Sequence, residues 1–192
     1  MKNILLKTMS SFFIFCIFLL SVIPQVNAQV PEITNETANL LRSAKIHVLD
    51  QTANPVNFTL PLLGGGNAEL SSYKGKIVIL NFWATWCPPC RAEMPSMETL
   101  YQRFKNEGLE ILAVDIGEDT GTVRNFIQNS KYTFPVLLDS SGRVSRTYGI
   151  QAIPTSFILD RGGKIIAKVT GSIHWDTPQA FSAFEALLTA DN

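Results

Sequence analysis

Residues 77–90 read Ile77-Val78-Ile79-Leu80-Asn81-Phe82-Trp83-Ala84-Thr85-Trp86-Cys87-Pro88-Pro89-Cys90. The apolar run Ile77–Trp83 has the length and β-branched content of a buried strand. From Cys87 to about Glu107 the chain reads as a helix. Two cysteines three apart at the start of a helix lie on one face and are able to close a disulfide. They also sit where unpaired helix N–H groups stabilise an anion, so one sulfur can be a thiolate near neutral pH. Cys87 is the expected nucleophile, because it is nearest the helix N-terminus and the strand-to-helix loop, where a thiol is usually exposed. Such motifs bring a thiol pKa from ~8.5 into the range of roughly 3.5 to 7.5. Cys90, one turn deeper, is the expected resolving sulfur. A dithiol that opens and closes, with one activated sulfur, is the core of thiol–disulfide exchange. Pro88 and Pro89 fix φ and lack N–H groups, which stiffens the loop. Trp86 is expected as a flat wall beside Cys87, whereas Trp83 reads better as a packing residue.

Outward from this stretch, Met94, Met97, Leu100, Tyr101 and Phe104 form a core-facing stripe at helical spacing. They are read as core filler, not a metal box. Pro95 cannot donate to the carbonyl one turn back and is expected to kink the helix; Gly108 ends it. Further strands are expected at 109–116, 134–138, 154–160 and 164–170, and helices at 119–130, from 139 to about 148, and from 177 to about 189. Upstream, Phe58-Thr59-Leu60 and Ala68-Glu69-Leu70 flank Gly64-Gly65-Gly66-Asn67 as an N-terminal hairpin. Glu36 to Lys45 is a candidate short helix. Alternating strands and helices, closing with a hairpin and a helix, give an α/β layer fold. The chain shows no internal repeat, phosphate loop or dinucleotide fingerprint.

The N-terminus adds a targeting pattern. Lys2 and Lys7 precede an apolar stretch from about Met9 to Ile23, Pro24 ends it, and Val26-Asn27-Ala28 supplies small residues for cleavage. Residues 1–28 are therefore read as a signal peptide, with an uncleaved membrane anchor as the alternative; the run is shorter than the ~20 residues a spanning helix needs. Residues 29–52 are read as a linker and 53–192 as the folded domain. Cys16 lies within the apolar stretch, so of the 3 cysteines only Cys87 and Cys90 would remain after export. One close-spaced pair in a disulfide-permissive compartment favours a redox-active pair over a structural staple. Without Lys2 and Lys7, 14 basic residues face 16 acidic ones. There is no basic patch, so nucleic acid is not an expected partner.

The segment Asn81-Phe82-Trp83-Ala84-Thr85-Trp86-Cys87-Pro88-Pro89-Cys90-Arg91-Ala92-Glu93-Met94-Pro95 resembles the active-site region of the TlpA/ResA/DsbE group of extracytoplasmic thioredoxin-like proteins. Gly149-Ile150-Gln151-Ala152-Ile153-Pro154-Thr155-Ser156-Phe157 resembles the loop that carries the superfamily's cis-proline. The segments 58–60 and 70–76, and the long stretch between Asp115 and Tyr148, are also similar; the likeness covers roughly 53–190. It implies an α/β thioredoxin-like fold, a central mixed sheet flanked by helices, with an N-terminal β-hairpin and a helix–strand insertion. It implies a redox-active Cys87–Cys90 disulfide, no cofactor and no metal. It also implies a cis peptide before Pro154, against ~5% for X–Pro bonds in general. Ile153 would then offer its carbonyl and amide to a substrate strand. The Pro154 ring would keep metal away from the dithiol.

One departure separates the chain from cytoplasmic thioredoxins, which carry a buried aspartate where Asn81 stands. An amide cannot exchange the proton, and the resemblance gives that part to Glu93. The other reading of Glu93 is a solvated carboxylate that favours the helix dipole. The group reduces specific targets, such as the haem-binding cysteines of apocytochrome c, and is recharged by a membrane thiol-electron donor of the DsbD/CcdA type; a monomer is expected. Two other readings stand beside this one. A peroxiredoxin needs a Pro-xxx-Thr/Ser-xx-Cys setting, whereas Thr85 lies two before Cys87 and no proline stands in the right place. A metal-binding or copper-chaperone module would pair the cysteines with histidine or methionine, and His47 and His174 are the available histidines.

Overall fold

The computed structural model describes residues 33–190; the expected signal segment lies outside them. Among the described residues, eight strands and five α-helices follow in the order α1 (Asn35–Ser43), β1 (His47–Ala53), β2 (Thr59–Pro61), β3 (Asn67–Glu69), β4 (Ile77–Trp83), α2 (Pro88–Phe104), β5 (Leu109–Ile116), α3 (Thr120–Ser130), β6 (Val136–Asp139), α4 (Arg143–Thr147), β7 (Thr155–Leu159), β8 (Ile165–Thr170) and α5 (Pro178–Thr189). Six strands form one mixed sheet in the order β1-β8-β7-β4-β5-β6, and β2 pairs with β3 in a separate hairpin. β4 lies parallel to β5 and antiparallel to β7, so it is hydrogen-bonded on both sides. Every residue of β4 is buried, as its apolar sequence demands of a strand covered on both faces.

The two faces have separate cores. One, behind α2 and α5, gathers Ile77, Ile79, Trp83, Met94, Met97, Leu100, Phe104 and Phe184. The other, toward the hairpin, gathers Phe58, Leu60, Leu80, Phe82, Leu112 and Phe157. The stripe on α2 therefore serves packing, as its spacing predicts. Pro95 stands inside α2, which continues to Phe104. A short 3₁₀ turn then runs over Lys105–Glu107, and Gly108 closes it at φ 105°, a conformation that favours glycine. The insertion is α3 followed by β6, which extends the sheet parallel to β5.

The expected linker, residues 29–52, is not outside the domain. It supplies α1, whose Leu41 is fully buried, and most of β1, which pairs antiparallel with β8. The domain thus begins well before residue 53. β1 was hidden in the sequence because it is an edge strand: Val48 is its one buried residue, too little alternation to announce a strand.

Candidate active site

β4 delivers the chain at the centre of the sheet, and the loop 84–87 turns it into α2. Cys87 N–H donates to Ala84 O at 3.2 Å, and Arg91 N–H donates to Cys87 O at 3.1 Å. Cys87 is the N-cap of α2, with Pro88 and Pro89 at the first helical positions, where a missing N–H costs nothing. Cys87 and Cys90 are joined in a disulfide with Cα atoms 5.3 Å apart. The Cys90 N–H donates to Cys87 Sγ at 3.3 Å. The helix terminus thus points a donor at the sulfur expected to bear charge.

The pair is asymmetric, though less open than the sequence reading supposes. Cys87 is 3% exposed and Cys90 0%. Around this sliver lie the exposed Pro88 and Pro89 and Trp86, which is 66% exposed. Trp83 is fully buried and packs on Phe126 at 5.5 Å between ring centroids. From the other side comes the loop before β7. The Ile153–Pro154 peptide is cis, and Ile153 O lies 3.7 Å from Cys87 Sγ. A disulfide has no S–H to give, so this is a contact; the reduced Cys87 thiol would be placed to donate there. Pro154 itself is buried, and its carbonyl accepts from Gly171 N–H at 2.8 Å.

Glu93 follows Cys90 by one turn on the inward face of α2 and is 1% exposed. Its Oε1 accepts from Asn81 Nδ2 at 3.0 Å. Its Oε2 accepts from Trp175 Nε1 at 3.3 Å and from Ile173 N–H at 3.4 Å. Burial pushes the Glu93 carboxyl from its ordinary 4.5 up to about 7, against the lowering pull of the bonds from Trp175, Ile173 and Asn81. The solvated-carboxylate alternative does not hold for this side chain. Asn81 also donates to Ser156 Oγ at 2.9 Å, tying β4 to β7 beneath the dithiol.

The structure therefore brings together Trp86, Cys87, Pro88, Pro89, Cys90, Ile153 and Pro154 around the disulfide, with Glu93 one turn farther inside. Sequence reasoning missed Glu93's partners, Trp175, Ile173 and Asn81, because they meet only through the tertiary fold. It also missed Glu118, which grips Thr85 through both side-chain oxygens. Its one signal was Asp115, an acid near the end of the apolar strand β5, beside the C-terminal end of parallel β4; such ends gather functional groups. His47 and His174 are both exposed. Among the described residues no group of three His, Cys, Asp or Glu side chains is placed to hold a metal ion, and no helix is long and apolar enough to cross a membrane.

Residues 51–168 match the AhpC/TSA family. The chain is 45% identical over 115 residues to the thiol-disulfide oxidoreductase ResA of Bacillus thuringiensis subsp. konkukian, covering 60% of this chain and 66% of that protein. With ResA of Bacillus subtilis it shares 41% identity over 125 residues, covering 65% of this chain and 70% of that one. The matches thus span about two thirds of these relatives' length. Among solved structures, a protein described as a thiol:disulfide interchange protein DsbE from Chlorobium tepidum superposes with a TM-score of 0.67 at 34% identity, covering 73% of this chain and 99% of that one. StoA of Bacillus subtilis gives 0.58 at 31% identity, covering 68% and 98%. The family match over more than half of the chain, the identity to such relatives and the shared fold make the chain a member of the AhpC/TSA family, among its ResA- and DsbE-type thiol–disulfide oxidoreductases.

Proposed function

We propose that this protein is an exported reductase of specific protein disulfides, working through the Cys87–Cys90 dithiol. The observation that carries this reading is the asymmetric pair at the head of α2. Cys87 keeps the accessible edge and the Cys90 N–H, while Cys90 is enclosed. In the reduced protein the Cys87 thiolate attacks one sulfur of a substrate disulfide. The Cys87–substrate bond forms, the substrate S–S bond breaks, and the departing sulfur takes up a proton. Cys90 then loses its proton and attacks Cys87 Sγ. The Cys87–Cys90 disulfide forms and the second substrate thiol leaves, so two electrons pass to the substrate.

Glu93 is assigned the proton from Cys90. Its carboxyl, raised to about 7, can hold or release a proton at the pH of the reaction, which Asn81 cannot do. Trp86, Pro88 and Pro89 are assigned to substrate contact, with Ile153 and Pro154 forming the opposite rim. A substrate segment would lie between an exposed indole and the Ile153 backbone. Its recharging partner is a membrane thiol donor of the DsbD/CcdA type, and the haem-binding cysteines of apocytochrome c are a candidate target; both rest on the resemblance. Export rests on the pattern of residues 1–28, and the expectation of a monomer rests on the resemblance.

Peroxide reduction has less support, because Cys87 lacks the Pro-xxx-Thr/Ser-xx-Cys setting. The test is reduction of insulin by dithiothreitol-recharged protein, run beside a copper titration. Insulin turnover that disappears in Cys87→Ser, with no stoichiometric copper uptake, is the expected result. Copper binding without turnover would replace this reading with the metal-binding one.

A further inference from the structure

Thr85 stands two residues before Cys87, in the loop from β4 into α2. Its N–H donates to Glu118 Oε2 at 2.5 Å and its hydroxyl to Glu118 Oε1 at 2.6 Å. Each Glu118 oxygen thus accepts one hydrogen bond from Thr85. It reaches the loop from beyond the end of β5. Against it lies Asp115, fully buried and the register partner of Trp83. Neither Asp115 oxygen makes a well-formed hydrogen bond, although the Glu118 N–H acts on it from nearby, and Trp83 Nε1 meets no acceptor. An ionised Asp115 would be a buried charge with no well-formed hydrogen bond, beside a second carboxylate. One proton resolves both faults, because a neutral Asp115 donates O–H to Glu118, which has lone pairs beyond the two Thr85 uses.

We propose that Asp115 and Glu118 are a positioning pair for the redox loop: Asp115 holds one proton and donates it to Glu118, and the Glu118 carboxylate clamps Thr85 and so seats Cys87 at the head of α2. Burial, the side-chain bond to Glu118 and the charge of Glu118 push Asp115 up from 3.8 to about 8, against the lowering pull of the Glu118 N–H. The charged groups acting on it are Glu118 and Asp119, both acidic. On the same face α3 presents Phe126 to Trp83, while its Arg124 is exposed. On β6, Asp139 is committed to the N–H groups of Val144 and Ser145. Loss of the Asp115 proton would leave two carboxylates in contact, and the clamp on Thr85 would loosen in mildly alkaline solution.

The clamp's bearing on turnover rests on Cys87 being the attacking sulfur; the clamp itself does not. The test follows the Thr85 amide by nitrogen-15 NMR in the full, oxidised protein, where neither cysteine titrates, from pH 6 to 9.5. The expected amide is far downfield and slow to exchange at pH 6, and moves upfield with a midpoint near 8. Glu93→Gln should keep this step, which separates it from Glu93's own titration. Asp115→Asn, whose amide N–H donates at every pH, should abolish the step and keep the downfield position. Glu118→Gln should move the amide upfield throughout. A Thr85 amide unchanged by pH in the wild type, or a step that survives in Asp115→Asn, would overturn the proposal. Should Asp115→Asn not fold, the wild-type titration and Glu118→Gln decide alone. In the reduced protein, the pH profile of Cys87 alkylation should lose a matching step in Asp115→Asn. If the dithiol reading fails while the clamp holds, the NMR step appears and Cys90→Ser traps no substrate.

Discussion

Trp175 Nε1 donates to Glu93 Oε2 at 3.3 Å across 82 residues of chain, joining the loop before α5 to the carboxyl one turn below Cys90. Burial alone would leave Glu93 a neutral acid. Three donors, from Trp175, Ile173 and Asn81, hold it near the point where it exchanges a proton at neutral pH. Glu93→Gln keeps the shape and removes the titration. It should slow resolution of the mixed disulfide and alter the pH dependence of thiol alkylation while the fold survives. An alkylation–pH curve that overlays wild type would remove Glu93 from proton transfer.

Trp175→Phe deletes one donor to the charged form, so Glu93 should titrate at a higher pH than in wild type. The pH midpoint of resolution should move upward with it. Trp175 is fully buried and packs on Phe184, so the smaller ring should also cost on the order of 1–3 kcal/mol of stability. Stability loss with an unmoved pH midpoint would mean that Trp175 only fills space.

The cysteines should behave differently when replaced singly. Cys90→Ser retains the attacking thiolate but cannot resolve, so mixed disulfides should accumulate and be visible on non-reducing gels. Cys87→Ser should trap nothing. The reverse pattern would interchange the two roles.

Stability should fall as pH rises. Glu93 titrates near 4.5 when unfolded and near 7 when folded, so the native state binds a proton that the unfolded chain has released. Its stabilising contribution is full below about 4.5 and lost as pH passes about 7. Asp115 acts with the same sign up to about 8. At ~1.4 kcal/mol per pH unit, the Glu93 share is on the order of 3 kcal/mol. The urea midpoint of the oxidised protein should therefore fall between pH 5 and 9, and Glu93→Gln should flatten much of that slope. A midpoint that rises across this range would contradict the burial of Glu93.

The central strand, the helix after it and the dithiol were legible in the sequence because each is a local signal. Ile77–Trp83 is apolar throughout, and Cys87 and Cys90 are spaced for one helical face. Glu93 was legible as a position but not as an environment: its burial depends on Trp175 and Ile173, which no local pattern links to α2. β1 escaped because an edge strand with one buried residue looks like linker. The Thr85–Glu118 bonds escaped because they cross between parallel strands, where neighbours in space lie 33 residues apart.

The direction of electron flow is the centre of the account, and the reduction potential of the Cys87–Cys90 pair tests it most directly. Equilibration with glutathione or dithiothreitol buffers should give a value near the thioredoxin end of the scale, about −270 mV. A value near about −120 mV would make the protein an oxidant of thiols and contradict its reading as a reductase.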